Sequence, residues 1–180
     1  EEFPDVLMIA EESTAWPGVS HPVSAGGLGF SHKWNLGWMH DSLGYLGHDP
    51  VHRAHHHDEM TFAMMYAHSE RFVLPLSHDE VVHGKGSLLA KMGGDDRQKF
   101  AGLRALLAWQ WALTGAPLLF MGSELASWQE WNDAAELPWH LMEHPPHRGV
   151  HDVIAEMSRA CNDFPALWRR DTDPAGFQWL

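Results

Sequence analysis

Phe72-Val73-Leu74-Pro75-Leu76-Ser77-His78-Asp79-Glu80-Val81-Val82-His83-Gly84-Lys85 opens as a short apolar run and breaks, at one point, into Ser, His, Asp and Glu. Such a run, followed by an amphipathic stretch, predicts a buried strand leading through a loop into a helix. The same event occurs twice more. Val6-Leu7-Met8-Ile9-Ala10 runs into Glu11-Glu12-Ser13-Thr14, and Pro117-Leu118-Leu119-Phe120-Met121 runs into Gly122-Ser123-Glu124. Three strand ends that each deliver carboxylates predict a shared site, the arrangement that a (β/α)8 barrel keeps at the C-terminal ends of its strands.

Working outward, Ala15 to Gly29 is rich in Pro, Gly and Ser and reads as loop. Its glycines do not connect a strand to a helix at dinucleotide-binding spacing. Phe30 to Met39 predicts a second strand with Lys33, Trp34 and Asn35 near its end, and His40 begins a short helix. Asp58 is placed to cap a further helix reaching Glu70, with Phe62, Met65 and Tyr66 on its buried side. Phe100, Leu103, Leu106, Leu107, Gln110 and Leu113 recur at helical period, started at Gly93-Gly94-Asp95-Asp96 and stopped by Gly115 and Pro117. Ser127 to Leu141 is a polar, Trp-rich loop, His151 to Trp168 a last helix, and Phe177 to Leu180 the start of a strand. Strands alternating with helices predict a parallel sheet with right-handed crossovers. Four strand units cannot close an eight-stranded barrel, so the expected fold is α/β, the C-terminal half (about strands 5–8) of a TIM (β/α)8 barrel. Residues 1–170 are assigned to it and 171–180 to the start of a C-terminal β domain.

Composition narrows the function. The formal charge of −12 argues against a general nucleic-acid binder, which needs clustered Lys and Arg. A single Cys161 excludes an intrachain disulfide framework and multi-cysteine zinc sites. No apolar run approaches the roughly 20 residues of a membrane span. No membrane partner is expected, and a cytoplasmic setting is the default. Ten Trp and fifteen His are the anomaly. His52, His55, His56 and His57 invite a metal reading, but three consecutive His cannot all face one ion from a regular element, and no second half with zinc-type spacing follows. No metal or cofactor is expected. A Ser77-His78-Asp79 hydrolase triad is rejected, because adjacent residues at a strand end alternate in direction and cannot form the relay.

Ile9 to Thr14, Gly26 to Phe30, Lys33 to Met39 and Phe72 to Lys85 closely resemble the bacterial 1,4-α-glucan branching enzymes, within glycoside hydrolase family 13 (the α-amylase superfamily). So do Leu119 to Glu124, Glu130-Trp131-Asn132, and Asp173-Pro174 to Trp179-Leu180. The resemblance runs over nearly the whole chain in unbroken order. It implies retaining transglycosylation on α-1,4-glucan (glycogen, amylose), in which a 6-hydroxyl replaces water as acceptor. That chemistry needs two carboxyl groups roughly 5 Å apart across the scissile bond. By motif, Glu11 is the acid/base, Asp79 the transition-state carboxylate, and His78 a hydrogen-bonding partner of sugar hydroxyls. Glu12 is expected to be solvated or structural. Trp34, Asn35, Lys85 and Trp131 are candidate glucan contacts, the indoles because their faces cover a pyranose C–H surface; buried packing is the alternative for each. Glu80 and His83 line the cleft or hold its loop, and Glu124 organises the site.

Nothing in the chain resembles the family's strand-four motif with its nucleophilic Asp, nor its strand-three motif. The nucleophile is therefore expected in an N-terminal half outside this chain, and the 180 residues alone are expected to be inactive and poorly folded. Two other readings stay open: a trehalose-releasing hydrolase of the same superfamily, and a non-catalytic glucan-binding fragment.

Overall fold

The computed structural model describes residues 5–179. Four strands, β1 (Ile9–Ala10), β2 (His32–Trp34), β3 (Phe72–Leu76) and β4 (Ala116–Leu119), form one sheet in the order β1-β2-β3-β4. Every neighbouring pair is parallel, with Ala10 level with Lys33, Lys33 with Phe72, and Val73 with Ala116. The chain is thus a mixed α/β structure built on a four-stranded parallel sheet. Parallel pairing requires crossovers. These carry α1 (Leu36–Gly47), α2 (His57–Thr61), α3 (Leu88–Lys91) and α4 (Asp96–Ala112), and α5 (Pro145–Asp163) follows the last strand.

β3 is the spine. All five of its residues are buried, as an unbroken apolar run between two covered faces should be. Leu74 and Leu76 meet Trp38 and Leu46 from α1 and Leu103, Leu106 and Leu107 from α4 in one core. α4 begins where Asp95 accepts from the Gln98 amide while Gln98 accepts from the Asp95 amide, a reciprocal cap. Its buried face includes one polar residue at a periodic position, Gln110, which is fully buried and donates to the carbonyls of Leu74 (2.8 Å) and Leu118 (2.9 Å). One side chain thereby ties the helix to both β3 and β4.

Several expectations are corrected. The second strand is three residues long rather than Phe30–Met39, because the Asn35 side chain accepts from the Trp38 amide and starts α1 at once. Pairing in the first strand covers Ile9–Ala10 only, extended by Met8, whose carbonyl accepts from Ser31. The helix expected from Asp58 to Glu70 is a short α-helix followed by a 3-10 turn at Phe62–Met65, and Asp58 lies in its first turn without capping it. That change of pitch turns Phe62 (58% exposed) and Met65 (81% exposed) outward and buries Ala63 and Ala67 instead. The last helix runs over Pro145–Asp163, with a proline at its first position, where no amide is needed. Phe177 to Trp179 forms no strand, and Leu180 lies outside the described residues.

Candidate active site

Parallel strands place all four C-terminal ends along one edge of the sheet. Glu11 follows β1 directly and is exposed; Asn35 follows β2; Ser77, His78 and Asp79 follow β3. With neighbouring strands about 4.8 Å apart, the backbones of β1 and β3 stand about 10 Å apart with β2 between them.

The turn after β3 is held by its own polar residues. The hydroxyl oxygen of Ser77 accepts from the Asp79 amide (3.2 Å), and the Ser77 amide donates to the buried Glu80 carboxylate (2.5 Å). This reciprocal cap closes one 3-10 turn, His78–Glu80, and leaves the His78 and Asp79 side chains about half exposed. His78 Nε2 and Asp79 Oδ1 are 3.5 Å apart. Ser77 is therefore occupied as a cap, and Glu80 holds the loop.

Two hollows flank this edge. One, of about 810 Å³, is lined by His78, Val82, His83, Phe120, Glu130 and Trp131 among others. Its aromatic wall is built by His78 against Phe120 (ring centroids 6.0 Å) and Phe120 against Trp131 (5.1 Å, edge to face). The other, of about 510 Å³, is lined by Glu12, Thr14, Trp16, Lys33, Trp34, Asn35 and Tyr66 among others. His78 and Trp131 thus share one hollow, and Trp34 and Asn35 the other. Asn35 is buried, its Oδ1 occupied by the Trp38 amide (2.9 Å) and the Tyr66 hydroxyl (3.2 Å). Lys85 is exposed and lines neither; its carbonyl accepts from Lys91 Nζ. Glu124 is half-buried in the turn Ser123–Leu125.

The residues that shape these walls were partly invisible in the sequence. Glu12 is paired with the buried Lys33 (2.7 Å) and accepts from the Thr14 amide, and these contacts pull its carboxyl down to about 2. Lys33 also donates to the Thr14 carbonyl (2.8 Å), so one cation fixes the segment just after Glu11. Glu130 accepts from the amides of Gly84 (3.0 Å) and Gly86 (2.8 Å), which hold its carboxyl below the ordinary range. Those amides are aimed at it because His83, Gly84 and Gly86 all have positive φ. Glu70 is buried and accepts from the Val19 and Ser20 amides (2.8 Å each), anchoring the glycine-rich loop. No spacing rule marks Glu130 or Glu70, since each acts across 44 to 51 residues of chain.

No protein-family model matches the chain. Among curated proteins, the 1,4-alpha-glucan branching enzyme GlgB of Cupriavidus necator is 61% identical over 180 residues, all of this chain and 24% of the relative. The branching enzyme of Pseudomonas aeruginosa is 59% identical over 179 residues, 99% of this chain and 24% of the relative. That of Nitratidesulfovibrio vulgaris is also 59% identical over 179 residues, 99% of this chain and 28% of the relative. The chain is the counterpart of one segment of these bacterial branching enzymes. It spans about a quarter of their length. Every residue singled out above, from Glu11 to Trp131, falls within the segment shared with the Cupriavidus necator enzyme, because that match covers the whole chain.

Proposed function

We propose that this chain supplies the acid/base and the transition-state carboxylate of a 1,4-α-glucan branching enzyme. The supporting observation is that one parallel sheet brings Glu11 and the His78–Asp79 turn to the same edge, beside hollows walled by indole rings. In this reading Glu11 protonates the leaving glycosidic oxygen. A carboxylate nucleophile from outside the chain takes the anomeric carbon, and Glu11 then accepts the proton of the attacking 6-hydroxyl. Asp79 stabilises the oxocarbenium-like charge, and His78 orients sugar hydroxyls. Trp131, against Phe120, offers a ring face to a glucose unit.

The sheet is then the C-terminal half of a (β/α)8 barrel. The relatives are about four times longer than this chain, and among the described residues β1 and β4 each have a neighbour on one side only. The missing nucleophile belongs to the remaining strands, so the 180 residues alone are inactive. α-1,4-Glucan is the substrate, and the rest of the barrel is the partner.

The test is product analysis with the full-length protein that contains this segment. Glu11→Gln should lower the rate of α-1,6 branch formation by about 10²–10⁴, and Asp79→Asn by about 10²–10³. Both should leave glucan binding within a few fold. Released trehalose in place of new α-1,6 linkages would assign the chain to a different reaction of the superfamily. Full branching by either variant would remove that residue from the chemistry.

A further inference from the structure

The His-rich segment is folded by consecutive turns. The amides of His52, His55, His56 and Glu59 bond to the carbonyls of Asp49, His52, Arg53 and His56, each three residues earlier. Of the four His between 52 and 57, this path selects one. His56 and Glu59, three apart, share a face, while His52, His55 and His57 are exposed. His48, at the end of α1, meets them from the other side of the turn.

The three side chains converge. His56 Nδ1 is 2.8 Å from Glu59 Oε1, and His48 Nε2 is 3.3 Å from Oε1 and 3.2 Å from Oε2. The ligand atoms all lie within 4.8 Å of one another. A four-coordinate ion with bonds of 2.0–2.2 Å needs its ligand atoms about 3.4 Å apart. The carboxylate distances therefore need to change by only about half an ångström to admit one. The two imidazoles are stacked at 3.7 Å with 20° between their planes, so one ring must turn for both nitrogens to face the ion. Each side chain is about one-third exposed, which leaves room for that rotation and for a water in the remaining position. The nearby Arg53 guanidinium is directed away onto backbone, donating to the carbonyls of His48 (3.1 Å) and Leu46 (2.9 Å).

We propose that His48, His56 and Glu59 bind a zinc-class divalent transition-metal ion. Two imidazoles and one carboxylate suit such ions rather than Mg²⁺ or Ca²⁺, which prefer all-oxygen sites. The site shares no residue with the two hollows beside the strand ends. Its role is structural: an ion there clips the end of α1 to α2 across the turn and stabilises the folded state by mass action.

The experiment uses the full-length protein, stripped with a chelator and titrated with Co²⁺ and then Zn²⁺. Expected are visible bands of a four-coordinate Co²⁺ at one ion per chain, displacement by Zn²⁺ but not by excess Mg²⁺, and a melting temperature that rises with Zn²⁺. His48→Gln and Glu59→Gln should each weaken Zn²⁺ binding by at least about tenfold, the scale on which even outer-shell changes act. His52→Asn, outside the cluster, should leave it unchanged. Unchanged binding in either folded cluster variant would place the ion elsewhere among the fifteen His and overturn the proposal. So would absence of the four-coordinate bands in the unsubstituted protein, a readout that does not depend on any variant folding.

Discussion

Glu11 and Glu12 are neighbours with opposite environments, and the difference comes from one buried lysine. Lys33 sits level with Ala10 in the sheet and reaches Glu12, leaving Glu11 exposed at the strand end. The pairing of Glu12 is not legible in the sequence, since Lys33 lies 21 positions away. A titration follows. The Glu12 carboxyl, lowered to about 2 from an ordinary 4.5, should show its midpoint near the lower value by ¹³C NMR of the full-length protein. The folded pKa is depressed, so the stability linked to this ion pair is fully present above pH 4.5 and is lost as pH falls toward 2. Lys33→Met should bring the midpoint back toward 4.5, and an unchanged midpoint would show that the lysine is not the cause. Glu130 gives a second prediction at this scale. Glu130→Ala removes the acceptor for Gly84 and Gly86. Amide exchange at these two glycines should accelerate while the β3 amides stay protected; equal protection in variant and parent would refute the clamp.

At the level of the element, the sequence is most legible where periodicity and capping agree. α4 shows this, with its apolar spacing from Phe100 to Leu107 and its cap at Asp95. β3 was equally plain because it is buried on both faces. Elsewhere one side chain overrules a run. Asn35 turned an expected ten-residue strand into three residues and a helix, by offering Trp38 a cap. Phe62 and Met65 were misplaced because a 3-10 turn shifts every side chain relative to α-helical spacing. Gln110 fits the apolar period of α4 but binds two strand carbonyls through its amide. Gln110→Leu should therefore destabilise the full-length protein by about 1–3 kcal/mol, despite similar volume and greater hydrophobicity, because buried carbonyls lose their donor. Asp95→Ala should cost about 1 kcal/mol through the lost cap. Urea unfolding measures both, and a neutral Gln110→Leu would mean that those carbonyls find other partners.

At the scale of the molecule, the sheet's two flanks are unlike its centre. β3 is buried, whereas Val6, Leu7 and Met8 before β1 are 56, 66 and 58% exposed, Ile9 within it is 42% exposed, and Met121 beyond β4 is 59% exposed. Exposed apolar residues along unpaired strand edges favour association. The 180 residues alone should therefore bind a hydrophobic dye and unfold with low cooperativity, and a sharp thermal transition without dye binding would argue for an independent unit. The order of strands and helices was legible in the sequence because β1, β3 and β4 lie in apolar runs bounded by polar residues or glycine, whereas β2 (His32–Trp34) carries two basic residues and is marked only by its place between a glycine-rich loop and a helix. The exposure of Val6 to Ile9 was not legible, because the same apolar run would read as a buried strand. The proposed role gives the chain the acid/base and stabilising carboxylates of branching but not the nucleophile. Its most direct test is the formation of α-1,6 branch points from amylose by the chain alone, and then by the chain mixed with a matching N-terminal half from a branching-enzyme relative. Branching only in the mixture, and lost with Glu11→Gln, is the predicted result. Branching by the 180 residues alone would contradict it and place the nucleophile among the carboxylates of this chain.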